Sequence, residues 1–227
     1  VRNERDILPV FWNRISSLPC FHRCKVTFID NASTDGSLEF LRGLDGVQLL
    51  EHERNEGYGG SLLHGLRMTD LPHIVIIDAD CEYPPEVVPD LVRALAEHTV
   101  VYASRLSGKE NCHEAGMPWL KMQGNRMITG LFNLLFRQRC TDLYTGCKAL
   151  RRSALKNITL ERTGFEHVLE LAVQLSCRGY RLHEVAIDFA PRSAGKSKMS
   201  HVSETAKFLY WVLRYRWCLR NLLVTSS

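Results

Sequence analysis

Short apolar runs alternate with amphipathic segments over the first half of the chain. Between the runs, apolar residues such as Leu62, Leu63 and Leu66 recur at helical spacing and predict helices. The runs themselves are rich in Val, Ile and Phe and predict four β-strands, at residues 25–30, 47–50, 73–77 and 99–104. This order of strands and helices predicts an α/β fold with a mainly parallel, doubly wound sheet.

The second half of the chain continues this alternation less regularly. Apolar periodicity predicts two helices and two strands, at residues 119–136, 165–177, 147–150 and 181–189. A final amphipathic helix is predicted over residues 201–223. We therefore divide the chain into a main domain, residues 1–200, and a C-terminal helical segment, residues 201–227.

Polar loops follow the predicted strands at their carboxyl ends, where open α/β sheets bind ligands. In the first loop, the carboxylate of Asp30 and the amide of Asn31 could bond the edges of a nucleotide. The alternative is a loop that only caps the next helix, through Ser33 or Asp35. The loop beginning at Asn55 is rich in glycine and suits close approach of a ligand, or a simple helix start.

Three carboxylates stand together after the most apolar strand. Asp78, Asp80 and Glu82 supply oxygen ligands of the kind that hard divalent cations prefer. Such a cation would neutralise a diphosphate leaving group. The alternative is a solvated turn in which Glu82 caps the next helix. Asp142, among uncharged neighbours, is either a further carboxylate of the cleft or a helix cap.

The net charge of +4 is unevenly distributed, because residues 192–227 carry +6 and residues 1–191 carry −2. Three of the cations, Arg192, Lys196 and Lys198, share a loop rich in Ser and Gly that suits closure over phosphate, or a solvated linker. The others lie on the aromatic C-terminal helix. That helix suits the headgroup region of an anionic membrane, or packing on the protein core.

Composition and motif spacing exclude several classes of protein. Hydrophobic residues are 45% and charged residues 24% of the chain, which is typical of globular domains. The 8 cysteines lack zinc spacing and predict reduced, mostly buried thiols in a cytosolic protein. Hydrolase and nucleic-acid-binding signatures are absent, so no nucleic-acid partner is expected. No apolar stretch approaches the ~20 residues of a membrane span.

Seven segments, taken in order, resemble the family 2 glycosyltransferases with a GT-A fold. The resemblance is to the branch that contains dolichol-phosphate mannosyltransferase and bacterial polyprenyl-phosphate glycosyltransferases. It covers almost the whole chain. The matching segments are Asn3-Glu4, residues 29–37, 55–59 and 78–86, Ser104-Arg105, and residues 142–146 and 192–198.

The resemblance implies an inverting, metal-dependent hexosyltransferase. It would move a sugar from a nucleotide-sugar donor, GDP-mannose or a UDP-sugar, to a dolichyl or undecaprenyl phosphate, as a peripheral protein on the cytoplasmic face of a membrane. The oligomeric state is not predicted. By this resemblance, the donor would be bound by Glu4, Asp30, Asn31, Asn55 and Asp78, and Mg²⁺ or Mn²⁺ would be surrounded by Asp78, Asp80 and Glu82. The phosphates would be bound by Arg105, Arg192, Lys196 and Lys198. The residues implied in catalysis are Asp142, Asp80 and Arg105, with Asp142 positioning the acceptor or acting as base.

Three features depart from the family pattern. Only Val1 and Arg2 precede Asn3, where relatives have a strand, so we expect the first strand to be cut short. Asn31 and Glu82 stand where many relatives have Asp and Gln. Many bacterial members also continue into transmembrane helices, whereas this sequence stops at residue 227.

Two alternatives remain open from the sequence. The first is a family 2 enzyme whose acceptor is a sugar hydroxyl, in polysaccharide or glycolipid synthesis. It would need a general base, so Asp142→Asn should lower its turnover by about 10²-fold or more. The second is a catalytically silent GT-A binding module, which would show no metal-dependent binding of a nucleoside diphosphate.

Overall fold

The computed structural model describes residues 1–108, 112–113, 116–156, 158–190 and 208–215. Residues 208–215 form a helix. Short 3₁₀ turns occur at Phe21–Arg23, Pro85–Val87 and Arg152–Leu155. The other elements, in chain order, are α1 (Leu8–Ser16), β1 (Thr27–Asn31), α2 (Ser37–Arg42), β2 (Gln48–His52), α3 (Gly57–Arg67), β3 (His73–Ile76), α4 (Val88–Ala94), β4 (Val100–Ser104), α5 (Trp119–Phe136), β5 (Lys148–Arg151), α6 (His167–Cys177) and β6 (His183–Ala186).

The strands form two sheets. β1 pairs in parallel with β2, with Thr27 opposite Gln48. The second sheet has the order β3-β5-β4-β6, in which β4 and β6 are parallel and β5 is antiparallel to both its neighbours. The predicted α/β class is confirmed, but the described sheets are mixed rather than mainly parallel. A strand covered on both faces has the same apolar run in either direction, so the pattern did not predict the orientation of β5.

A large cavity separates the two sheets. It is lined along its sides by residues of β1 and β3, which are not hydrogen-bonded to each other. Val1 pairs with the cavity-facing edge of β1: its amino group donates to the Ile29 carbonyl at 2.7 Å, and its carbonyl accepts from the Asn31 amide at 2.9 Å. The cavity continues to the carboxyl ends of both strands.

The largest apolar cluster packs α5, α6 and the helix at residues 208–215 around the four-stranded sheet. Phe132 and Val212 are fully buried in it, and the Phe208 ring lies 4.3 Å from that of Tyr144. One face of the predicted C-terminal helix therefore packs on the core, while Leu213 remains exposed. Residues 201–207 and 216–223 of that predicted helix lie outside the described residues. Within the described part, no helix is long and apolar enough to cross a membrane.

Helix α1 was not predicted from the sequence, although its pattern is present. Leu8, Phe11 and Ile15 recur at helical spacing and are buried in a cluster with Phe28 of β1. This cluster attaches the start of the chain to the smaller sheet. The residues ahead of β1 therefore belong to the packed domain.

We expect the helix at residues 208–215 to contribute to folding through its buried face alone. Phe208→Ala should lower the free energy of unfolding by about 3–5 kcal/mol, because the ring is 2% exposed in the main core. The matched control, Leu213→Ala on the exposed face, should change it by less than about 0.5 kcal/mol. Urea denaturation followed by circular dichroism measures both values. Equal losses in the two variants would contradict this packing.

Candidate active site

The cavity ends in a polar region at the carboxyl ends of β1 and β3. Seven of the residues predicted for the site line it: Glu4, Asn31, Asn55, Asp78, Asp80, Glu82 and Arg105. Asp142 contacts Arg105 from behind the cavity wall, whereas Asp30 is fully buried and does not line the cavity. Arg192, Lys196 and Lys198 lie outside the described residues. The structure therefore brings together the predicted residues that it describes. Several of them form hydrogen bonds or ion pairs within the chain that the sequence did not predict.

The side chain of Asn31 holds the loop between β2 and α3. Its amide nitrogen donates to Asn55 Oδ1 at 2.9 Å and to the Gly57 carbonyl at 3.2 Å. Its oxygen accepts from the Glu56 amide at 2.8 Å and contacts His52 Nδ1 at 3.1 Å. These contacts use both amide hydrogens and both lone pairs of Asn31. Donor binding by Asn31 stays a prediction, and its side chain already has a structural role.

Asp30 is fully buried and only half satisfied. Its Oδ2 accepts from the Ser33 amide at 2.9 Å, whereas its Oδ1 has no hydrogen-bond partner among the described residues. A buried acceptor without a donor is rare in folded proteins. The next turn is also unusual, since Ala32 has a φ of 58° in the left-handed region. Asp35, as predicted, accepts from the Ser37 amide at the start of α2.

Asp78 and Asp80 are held in different ways. Asp78 Oδ1 accepts from the Tyr58 hydroxyl at 2.7 Å, and a Cβ at Gly146 would overlap Asp78 Oδ2, so glycine permits this close approach. Asp80 Oδ1 accepts from the Glu82 amide at 3.0 Å across a turn in which Cys81 has a φ of 59°. Strained backbone of this kind collects at functional sites.

Glu82 belongs to an ion-pair network rather than to a three-carboxylate cluster. Its Oε2 lies 3.3 Å from Arg105 Nη1 and 3.4 Å from Lys121 Nζ. Among the described residues, no three His, Cys, Asp or Glu side chains are grouped so that they could hold a metal ion. The predicted set of Asp78, Asp80 and Glu82 therefore does not form a preformed cage, because Glu82 is neutralised by two cations.

Arg105 and Asp142 form a buried, two-pronged ion pair. Arg105 Nε donates to Asp142 Oδ2 at 2.7 Å and Nη2 donates to Oδ1 at 3.0 Å, while the Arg105 amide also donates to Oδ2 at 3.1 Å. Asn125 of α5 donates to Oδ1 at 2.6 Å. Asp142 is fully buried and Arg105 is 4% exposed. This geometry joins the end of β4, α5 and the segment before β5.

These contacts also set the protonation of Asp142. Burial by itself would raise the pKa of this carboxyl, but the charge and hydrogen bonds of Arg105, with the bond from Asn125, hold its pKa below the ordinary value. A carboxylate with a lowered pKa that accepts four hydrogen bonds is a weak proton acceptor. The predicted role of Asp142 as a base is not supported by this arrangement, whereas a positioning role is compatible with it.

Four further residues belong to the site and were not predicted from the sequence: Tyr58, Lys121, Asn125 and Lys148. Tyr58 lies within the matched segment 55–59, and Asn125 is a polar residue on the buried face of an apolar helix. Both were therefore detectable. Lys148 is fully buried in β5 without a hydrogen-bond partner among the described residues, and its Nζ lies 5.3 Å from the centre of the Tyr102 ring. Burial lowers its pKa to about 8, although the negative charge of Asp78 raises it in part.

We expect that removing one partner of the Arg105–Asp142 pair is strongly destabilising. Asp142→Asn should lower the free energy of unfolding by roughly 3 kcal/mol or more, because it leaves a buried guanidinium short of charge. The control, Asp90→Asn, removes the exposed partner of Arg93 and should cost less than about 1 kcal/mol. Urea denaturation at pH 7 tests the difference. Similar values for the two variants would refute it.

The effect of Asp142→Asn should also depend on pH. The folded pKa of Asp142 lies below the unfolded value of ~3.9, so the stabilisation is complete above that value and is lost as the pH falls below it. The difference in unfolding free energy between the wild type and Asp142→Asn should therefore shrink below about pH 4. A difference that stayed constant down to pH 3 would contradict the lowered pKa.

Comparison with known proteins places this chain in a family. The family described as glycosyl transferase family 2 matches residues 1–159. The chain is 32% identical over 180 residues to a dolichyl-phosphate hexose transferase of Haloferax volcanii, covering 78% of this chain and 74% of that protein. It is 22% identical over 219 residues to a dolichol-phosphate mannosyltransferase of Pyrococcus furiosus, covering 94% of this chain and 62% of that protein.

Solved structures agree on the fold. Glucosyl-3-phosphoglycerate synthase of Mycobacterium tuberculosis, in complex with UDP, superposes with a TM-score of 0.73 at 16% identity, covering 95% of this chain and 77% of that chain. A complex of the same enzyme with Mn²⁺, UDP and glucosyl-3-phosphoglycerate has a TM-score of 0.71 at 17% identity, with the same coverage. These similarities confirm the predicted GT-A fold. Together with the match over residues 1–159, they show that the chain belongs to glycosyltransferase family 2.

Proposed function

We propose that this enzyme transfers a sugar from a nucleoside diphosphate sugar to a polyprenyl phosphate. The observation that carries the proposal is the mixed lining of the cavity, in which carboxylates and an arginine stand together with apolar side chains of α5 and of the helix at residues 208–215. Two relatives are dolichyl- or dolichol-phosphate transferases. A molecule with a polar phosphate and a long apolar chain matches both ends of such a cavity.

The donor would bind at the polar end. Asp30 does not line the cavity, so we propose that the loop after β1 moves when the donor binds and lets Asp30 Oδ1, which has no partner among the described residues, accept from a base or ribose. Glu4 and Asn55 line the same end, and Asn31 positions Asn55. We propose these residues for the nucleoside, with GDP-mannose and UDP-sugars as candidate donors.

Asp78 and Asp80 fit a Mg²⁺ or Mn²⁺ ion bound to the donor diphosphate. Both line the cavity, and carboxylate oxygens are the ligands these hard cations prefer. Such an ion usually takes only one or two carboxylates from the protein and completes its coordination with phosphates and water. Two aspartates are therefore sufficient, and Glu82, paired with Arg105 and Lys121, is not needed. When bound, the ion would supply charge neutralisation for the leaving diphosphate.

Cations around the polar end would reduce the repulsion between donor and acceptor phosphates. Lys121, at the start of α5, and Arg105 both line the cavity. We propose that Arg192, Lys196 and Lys198, which lie outside the described residues, add positive charge over the phosphates. When an anionic acceptor phosphate approaches an anionic donor, neutralising their negative charge matters more than removing a proton with a base.

The hydrogen bonds and ion pair that occupy the Asp142 carboxylate favour a phosphate acceptor over a sugar hydroxyl. A phosphate monoester has a second pKa near 6 and is largely ionised at neutral pH, so its oxygen attacks the anomeric carbon without losing a proton to the enzyme. A hydroxyl acceptor would need a base, and Asp142 is committed to Arg105 and Asn125. We propose that Asp142 positions Arg105 and the cavity wall, and that the reaction inverts the anomeric centre.

The apolar end of the cavity would hold the first part of the lipid. Its walls come from α5, the helix at residues 208–215 and the segment before α6, with Trp119, Leu120, Met127, Phe165 and Phe208 among the lining residues. A small anionic acceptor such as phosphoglycerate would leave these side chains unused. The acceptor would come from a membrane, so we propose a peripheral protein at its cytoplasmic face.

Purified protein with Mg²⁺ or Mn²⁺ should move radiolabelled sugar from a nucleotide sugar to polyprenyl phosphate. Asp80→Asn should lower kcat by about 10²-fold or more, because several kcal/mol of charge stabilisation are lost. Asp45→Asn, at an exposed position outside the cavity, is the control and should be unaffected. Transfer to a sugar hydroxyl or to phosphoglycerate instead would overturn the acceptor assignment. Metal-dependent binding of a nucleoside diphosphate without any transfer would overturn the enzymatic proposal.

A further inference from the structure

Helix α5 is apolar on two opposite sides. One side buries Met122, Ile128 and Phe132 in the protein. The other presents Leu120, Met127 and Leu134, which are 57%, 52% and 77% exposed. These three residues are spaced by seven positions, so they fall within about 40° of one another around the helix and form one line about 21 Å long. We call Leu120, Met127 and Leu134 the α5 stripe.

The core does not explain the α5 stripe, because the stripe lies opposite the buried side of the helix. Glycine at 130, next to the stripe, is exposed and has open space around it. Contiguous exposed apolar residues on a soluble domain usually mark a contact surface. Trp119, at the start of the helix, is 58% exposed and extends the surface.

The charges around the α5 stripe identify the class of partner. Residues 115–141 contain four basic residues and no acidic one. Three of the four, Arg126, Arg137 and Arg139, are exposed, while Lys121 lines the cavity. An exposed apolar line flanked by cations is the pattern of helices that lie in the headgroup region of anionic membranes.

A second helix extends the same kind of surface. At residues 208–215, Tyr210 and Leu213 are 54% and 55% exposed, and the charged residue there is Arg214. Leu120 and Met127 of the stripe also line the cavity, as do Phe208 and Leu209. The cavity therefore reaches the surface beside Leu120 and Met127 of the α5 stripe.

We propose that the α5 stripe is a membrane-docking surface, which places the apolar opening of the cavity against an anionic lipid bilayer. The inference extends the proposed function, since a polyprenyl phosphate could then enter the cavity directly from the membrane. It assigns membrane contact to the middle of the chain, whereas the sequence pattern had suggested the C-terminal segment. Docking itself requires neither donor nor metal.

The test is co-sedimentation of the full chain with vesicles of phosphatidylcholine, with and without phosphatidylglycerol. The wild type should bind the anionic vesicles, more weakly at high salt. Leu120→Gln/Met127→Gln/Leu134→Gln should lower the partition coefficient by about tenfold or more, since it removes the apolar contact. The matched control, Val10→Gln/Met68→Gln/Ala96→Gln, changes three exposed apolar residues that do not line the cavity and should bind as the wild type does.

Two further readouts keep the outcome decisive. Thermal melts establish that both triple variants are folded, and brominated lipids should quench the fluorescence of the wild type more than that of Trp119→Phe. Three results would overturn the proposal. They are equal vesicle binding by the wild type and the stripe variant, no vesicle binding by the wild type, and a dimer that only the stripe variant disrupts. Vesicle binding through the stripe without sugar transfer to polyprenyl phosphate would instead refute the proposed function and leave the docking surface intact.

Discussion

The buried ion pair between Arg105 and Asp142 connects the elements that surround the cavity. Arg105 follows β4, Asp142 precedes β5, and Asn125 of α5 donates to the same carboxylate. Glu82, at the end of the β3 segment, accepts from the other side of the guanidinium. A buried pair of this kind is costly to desolvate and strongly destabilising to break, so it fixes geometry more than it adds stability. It therefore holds Glu82 and α5 in place beside the segment that carries Asp78 and Asp80.

The cavity has two kinds of lining, with carboxylates on its strand side and apolar side chains on its helix side. On the strand side, short loops with residues in the left-handed region, Ala32 and Cys81, turn the chain directly after the carboxylates. On the helix side, α5 presents apolar residues to the same space. A family 2 glycosyltransferase with this division is suited to an acceptor that is anionic at one end and apolar along its length. The proposed membrane-docking surface lies on that apolar side.

The fold and the location of the site could be predicted from the sequence, but the partners of the site residues could not. Apolar runs followed by polar residues identified the ends of β1 and β3, and therefore Asp30, Asp78 and Asp80. By contrast, Arg105 and Asp142 are 37 residues apart, and no periodicity relates them. Glu82 therefore looked like a metal ligand until its cations were located. The direction of β5 was equally unreadable, because strand patterns carry no orientation.

The central claim is that Arg105 and Asp142 act as one unit that positions the site, and a double-mutant cycle in kcat/KM for transfer to polyprenyl phosphate tests it most directly. Arg105→Gln, Asp142→Asn and the double variant are compared with the wild type, each checked for folding. We expect each single variant to lose nearly as much activity as the double, since either change breaks the same unit. Losses that multiply in the double variant would mean that the two residues act independently, with Asp142 as a separate base, and would contradict this account.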